Sequence, residues 1–150
     1  MKHKQIIESY SEKDTYRIGQ QIAARCRPGM VILLHGDLGV GKTVFTKGLG
    51  DGLGITEPIS SPTFNIVKTY EQGRLPLYHF DVYRIADVEE MYEIGYEEYF
   101  YGQGVTLVEW ASLIREILPE DAVSVTIEKC LDKGFDYRRI TIEGMEEIAV

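Results

Sequence analysis

The sequence predicts an α/β fold with a mixed, mainly parallel central sheet and added antiparallel hairpins. Three observations carry that prediction. The apolar run Met30-Val31-Ile32-Leu33-Leu34 leads into a glycine-rich loop and then a helical stretch, the order of a buried strand handing over to a helix. Further strand-like runs alternate with helical stretches along the rest of the chain. Two pairs of runs, 64–70 with 75–83 and 122–129 with 138–143, are joined by turn-forming segments and read as hairpins.

Taken in order, residues 5–9 read as a short edge strand. Ser11-Glu12-Lys13-Asp14 marks a helix start with Ser11 as N-cap. Ile18, Ile22 and Cys26 recur every four residues, so one face of this helix packs inward until Arg27-Pro28-Gly29 ends it. The strand 30–34 follows, then the loop, then a helix over 42–52. Gly52-Leu53-Gly54 and residues 58–62 connect to the first hairpin, which turns at Glu71-Gln72-Gly73-Arg74. Residues 87–101 are acidic and tyrosine-rich, mostly helical by periodicity. Gly102-Gln103-Gly104 precedes a strong strand over 105–110, and a short helix over 112–118 stops at Pro119. The last hairpin turns at Asp132-Lys133-Gly134, and the tail 145–150 is expected to fray. With 150 residues, no repeat and no linker, a single domain over 1–150 is expected.

Composition narrows the class of function. The chain is 44% hydrophobic and 27% charged, the balance of an ordinary globular protein. Its longest apolar run, 30–34, is far too short for a membrane span. No hydrophobic leader follows Met1-Lys2-His3-Lys4, so a cytoplasmic location is the expectation. Cys26 and Cys130 lie far apart without metal-ligand spacing and read as reduced, buried thiols. A net charge of −8 argues against gripping a nucleic acid unaided, because the phosphate backbone would be repelled.

The chemistry resides first in Gly36-Asp37-Leu38-Gly39-Val40-Gly41-Lys42-Thr43, a G-x-x-x-x-G-K-T run directly after the buried strand. The glycines let backbone N–H groups wrap phosphate oxygens, where a Cβ would block the approach. The expected phosphate contacts are Asp37, Leu38, Gly39, Val40, Gly41, Lys42, Thr43 and Val44, with Lys42 reaching the β- and γ-phosphates and the Thr43 hydroxyl on Mg²⁺. The positive end of the following helix adds to the field. Chance would place such a run in roughly one chain per hundred or fewer. It makes the expected fold a three-layer sandwich of the P-loop NTPase type.

A phosphate loop needs a carboxylate for its metal, at the end of a neighbouring strand. Glu109 ends the apolar run 105–108 and is the expected metal ligand; Asp81 ends the run 75–80 and reads as a metal-shell or water-holding residue. Ser60-Ser61-Pro62-Thr63-Phe64 is placed to offer a hydroxyl to the γ-phosphate or Mg²⁺, the alternative being a proline turn in which Thr63 caps a strand. His79 shares a strand face with Asp81 and either bonds the site or is a satisfied core histidine. Arg84 pairs with surface acids, stabilises phosphoryl charge or contacts a partner. His35 reads as structural, and Trp110 as packing near the site or on a partner surface. No N-K-x-D guanine reader is present, which favours ATP over GTP, and no arginine-paired lid is evident, which weakens a small-molecule kinase reading. A nucleotide-dependent binding module without useful catalysis is a third reading.

Together, Gly36 to Thr43, Ser61-Pro62-Thr63-Phe64, His79-Phe80-Asp81-Val82-Tyr83-Arg84 and Glu109-Trp110 resemble the TsaE (YjeE) family of small bacterial ATPases, as does Ile94-Gly95-Tyr96-Glu97-Glu98-Tyr99-Phe100. Val40 stands where the family usually has alanine. The resemblance implies a weak, partner-stimulated, Mg²⁺-dependent ATPase required for N6-threonylcarbamoyladenosine at position 37 of tRNAs reading codons that begin with A. It implies the TsaD and TsaB proteins as partners, with tRNA met only through that complex. On that resemblance Thr43 and Glu109 hold Mg²⁺, Lys42 binds phosphate, and Asp81 and Thr63 position water or sense the γ-phosphate.

Overall fold

A single seven-stranded sheet organises the computed structural model, which describes residues 3–37, 39–62 and 66–149. The elements run β1 (Lys4–Ser9), α1 (Glu12–Ala23), β2 (Val31–His35), α2 (Lys42–Gly52), β3 (Val67–Tyr70), β4 (Leu77–Asp81), α3 (Glu89–Glu93), α4 (Tyr96–Phe100), β5 (Val105–Glu109), β6 (Val123–Lys129) and β7 (Arg138–Glu143). Short 3₁₀ turns lie at Ala111–Ile117 and Leu131–Lys133. Strand order is β1-β7-β6-β2-β5-β4-β3. The four central strands are parallel, and the two hairpins add antiparallel strands outside them. β1 closes one edge against β7.

Alternation along each strand sends residues to two separate cores. Ile32 and Leu34 of β2 pack with Ile18 and Ile22 of α1 and Phe45 and Leu49 of α2. Val31 and Leu33 face the other way, onto Met91, Tyr96 and Phe100 of α3 and α4 and Ile114 of the 3₁₀ segment. The result is the expected sandwich of three layers.

Local signals explain most element ends. Ser11 caps α1 by accepting from Asp14 N–H at 3.2 Å, while Asp14 reaches back to Tyr10 N–H at 3.0 Å. α1 and α2 then pack backbone to backbone. A Cβ at Gly48 would land on the Tyr16 carbonyl, and one at Gly19 would come within 2.5 Å of the Phe45 carbonyl. Glycine at both positions sets how closely the two helices approach, and so where the start of α2 sits above the sheet.

Several expectations need correction. α1 stops at Ala23, and Cys26 reaches the core from the turn beyond it, its thiol donating to Ile22 O. The acidic stretch is two one-turn helices rather than one, because Gly95 takes φ 71° and breaks the path. The helix expected over 112–118 is 3₁₀, with Ile114 at φ −126°. The tail expected to fray is instead held: Ile148 is buried, its N–H and C=O are bridged by the Gln5 side-chain amide at 2.9 and 3.1 Å, and Arg25 pairs with Glu146. An isolated isoleucine gives little periodicity, so its docking onto Gln5 leaves no local signal in the sequence. Cys26 is buried, as expected, with its thiol pushed up to about 12 by burial. Cys130 is only half-buried. Among the described residues no helix is long and apolar enough to cross a membrane.

The glycine contact generates a direct test. Gly48→Ala should lower stability to urea unfolding by about 1–3 kcal/mol, the cost of forcing a methyl into a filled contact. Wild-type stability in that variant would show that the helices are not held this close.

Candidate functional site

Every element that reaches the site does so at the C-terminal edge of the parallel strands, where an open α/β sheet leaves room for a ligand. β2 ends at His35, the chain turns through Gly36, and α2 begins at Lys42. Gly41 is the N-cap of α2 at φ 108°, and no side chain caps the helix. Gly39 stands at φ 80°. Side chains other than glycine rarely adopt these conformations, and among the described residues no side chain caps the first amides of α2. Gly36 is small for another reason: a Cβ there would lie 2.7 Å from Val40 Cγ2 and 2.9 Å from Ile127 O.

The two strand-end acids emerge side by side, because Asp81 of β4 is the register partner of Glu109 of β5. Glu109 is engaged on both oxygens, by an ion pair on one and a hydrogen bond on the other. Lys42 Nζ lies 3.6 Å from Oε1, and His79 Nε2 lies 2.8 Å from Oε2. The side chains of Lys42, Glu109 and His79 are only 11%, 9% and 2% exposed. Burial pushes the Glu109 carboxyl up, but the hydrogen bond and charge of His79 and the charge of Lys42 outweigh it, leaving the carboxyl below the usual range. It is therefore ionised at neutral pH. Of the two readings of His79, the structure shows the one in which it bonds the site; its Nδ1 is buried with no partner among the described residues.

Trp110, directly after Glu109, is the one non-glycine among the described residues with positive φ, at 65°. That left-handed turn costs about 1 kcal/mol or more. It lays the indole beneath Lys42, with Nζ 4.9 Å from the ring centroid, and against Tyr83 at 4.8 Å. A cation over indole returns about 0.5–2 kcal/mol. Lys42 is thus held from two sides, by a carboxylate and by an aromatic face.

Two cavities open beside these groups and share Lys42 and Trp110. The smaller, about 340 Å³, is lined by Gly39, Gly41, Lys42, Thr43, Val44, Ser61, Asp81 and Glu109. The larger, about 700 Å³, reaches over Asp37 and Val40 to His35, Ser112, Thr126 and Lys129. Hence Asp37, Gly39, Val40, Gly41, Lys42, Thr43, Val44, Asp81 and Glu109 all come together. Leu38 and Thr63 lie outside the described residues. Asp81 accepts from Tyr83 N–H at 3.1 Å, so its carboxylate is oriented but not consumed. Arg84 is exposed. Burial lowers the His35 imidazole below its ordinary value, Glu143 opposes and Lys42 reinforces this, so His35 contributes no charge at neutral pH.

One contact had no sequence signal. Arg138, the first residue of β7, donates from Nε to Val40 O at 2.8 Å, bringing the last hairpin onto the loop. The pair is 98 residues apart and belongs to no motif.

The donors suit a hard divalent cation in a particular way. Thr43 and Glu109 supply oxygen, but among the described residues no group of three or more His, Cys, Asp or Glu is placed to hold a metal. Mg²⁺ is commonly bound by one or two protein oxygens plus phosphates and water, so the set fits a cation that arrives with a phosphorylated ligand.

Acid tests the Glu109 contacts. A carboxyl held below its unfolded value, near 4.5, adds stability that is complete above that pH and is lost as pH falls through the lower folded value. Urea unfolding between about pH 3 and about pH 6 should show this loss in the wild type and a flatter profile in Glu109→Gln. Identical profiles would contradict the assignment.

The chain is similar to known proteins over most of its length. The family described as Threonylcarbamoyl adenosine biosynthesis protein TsaE matches residues 9–140. The tRNA threonylcarbamoyladenosine biosynthesis protein TsaE of Bacillus subtilis (strain 168) is 52% identical over 133 residues, 89% of this chain and 81% of the relative. The protein of the same name from Treponema pallidum (strain Nichols) is 42% identical, covering 95% and 96%. The crystal structure of Bacillus subtilis YdiB superposes with a TM-score of 0.82 at 43% identity, over 97% of this chain and 88% of that one. With a match across most of its length and its sheet, loop and strand-end acids in one constellation, the chain belongs to the TsaE family.

Proposed function

We propose that this protein is a Mg²⁺-dependent ATPase acting in the formation of N6-threonylcarbamoyladenosine at position 37 of tRNA, in partnership with the TsaB–TsaD complex. The observation that carries the reading is the pairing of Lys42 with Glu109 at the mouth of an uncapped, glycine-shaped helix start. Such a lysine is a compact cation that can exchange its carboxylate for a phosphate, and no side chain among the described residues caps the helix start beside it. The names of the relatives place them in tRNA threonylcarbamoyladenosine biosynthesis, and family membership brings that role to this chain.

On this reading the triphosphate lies along the smaller cavity, with Lys42 and the amides of Gly39 to Val44 on its phosphates. The nucleoside extends into the larger cavity past Trp110. Lys42 exchanges the Glu109 carboxylate for phosphate oxygens, and Glu109 Oε1 becomes free. Thr43 and Glu109 would hold Mg²⁺, which when bound would neutralise developing phosphoryl charge. Asp81, aimed by Tyr83 N–H, and Thr63 orient the attacking water. Among the described residues Lys42 is the cation placed at the strand-end acids, and a partner that supplies a second one raises turnover by roughly 10³–10⁵. Slow hydrolysis alone and faster hydrolysis with TsaB–TsaD is the consequence. The acidic surface, at net −8, fits a protein whose tRNA is held by others.

ATP hydrolysis by the purified chain, measured with and without TsaB–TsaD, tests the proposal. Turnover should be slow alone, rise with the complex, and release γ-phosphate as free phosphate; label transferred to a small molecule would instead identify a kinase. Lys42→Ala should abolish both ATP binding and hydrolysis. Glu109→Ala should retain ATP binding and lower Mg²⁺-dependent turnover by about a hundredfold or more. Wild-type hydrolysis by Lys42→Ala would overturn the phosphate assignment.

A further inference from the structure

We infer that Arg138 is a positioning residue for the phosphate loop: by holding the Val40 carbonyl outward it turns the Gly41 N–H toward the phosphate. This rests on the nucleotide reading above and adds to it a residue from outside the loop motif.

The argument is stereochemical. The peptide unit joining Val40 and Gly41 is planar and trans, so its C=O and N–H point in opposite directions. Arg138 Nε donates to Val40 O at 2.8 Å. The N–H of the same unit therefore points away from Arg138, on the side where Gly41, Lys42 and Thr43 line the smaller cavity. The unit is fixed from two further directions. The Val40 side chain is 3% exposed and packed into the core, with Cγ2 filling the space a side chain at Gly36 would need. Gly41 itself stands at φ 108°, a conformation reached by rotating this peptide plane.

Arg138 is in turn immobilised. Its Nη1 donates to Phe135 O at 2.9 Å and Tyr137 O at 2.8 Å, and its backbone lies in β7 opposite Lys129 of β6 and Ser9 of β1. A planar guanidinium with fixed donors can bridge three carbonyls at once; a lysine ammonium on a flexible stem reaches one at lower precision. The last hairpin thereby sets the direction of an amide in a loop almost a hundred residues earlier.

The test is ADP binding by calorimetry to wild type, Arg138→Met and Arg138→Lys, together with the ¹H–¹⁵N resonance of Gly41. Loss of one well-aimed donor to a charged oxygen should weaken ADP binding by roughly ten- to a hundredfold in Arg138→Met. Arg138→Lys, which keeps one donor, should recover most of that loss. The Gly41 amide should shift on ADP addition in wild type and Arg138→Lys and stay in place in Arg138→Met. If Arg138→Met lacks a cooperative melt, Arg138→Gln takes its place with the same readouts. ADP affinity within about twofold of wild type, or a Gly41 amide that moves on ADP addition as far as it does in the wild type, in the arginine-free variant would overturn the inference. A wild-type chain that binds no ADP would overturn the nucleotide reading beneath it.

Discussion

Lys42 and Glu109 face each other across 3.6 Å, both nearly buried, at the edge where four parallel strands end. Removing two charges from water costs several kcal/mol each, and their mutual attraction recovers this only with good geometry and further bonds. The surroundings supply those bonds: His79 takes the second carboxylate oxygen, and the Trp110 ring lies under the ammonium. The pair is stable with both partners in place and costly with either alone. Whatever draws Lys42 away must therefore bring its own negative charge, and whatever is left beside Glu109 must be positive. A phosphorylated ligand carrying a divalent cation meets both demands in one step.

The rest of the fold serves that geometry. Parallel pairing puts Leu34, Glu109 and Asp81 at one level of neighbouring strands, so the acids meet without any special backbone. Glycine contacts between α1 and α2 set the height of the first turn of α2, from which Lys42 hangs. A left-handed Trp110 and glycines at 39 and 41 carry the backbone conformations that an ordinary loop would avoid. The strain sits where the chain must turn sharply between the two cavities, and the seven-stranded sheet beneath is what holds it.

How much of this was legible in the sequence varies with the range of the interaction. The loop, the strand-end acids, the Ser11 cap and both hairpins rest on residues a few positions apart, and each was readable. The acidic stretch 87–101 misled because apolar residues at helical spacing mask Gly95, whose positive φ splits it. The tail misled for the opposite reason. Its anchor is one isoleucine matched to Gln5 across 143 residues. Arg138 is the same case at the site itself, a contact to Val40 that no local pattern announces. Sheet order brings such pairs together, and sheet order is read least well from one sequence.

A crystal structure of the chain with Mg²⁺ and ADP measures the exchange at Lys42 most directly. In that complex Lys42 Nζ should lie within hydrogen-bond reach of a phosphate oxygen and beyond about 4 Å from Glu109, with His79 still on Oε2. A complex in which Lys42 remains paired to Glu109, and the phosphates lie away from the start of α2, would contradict it.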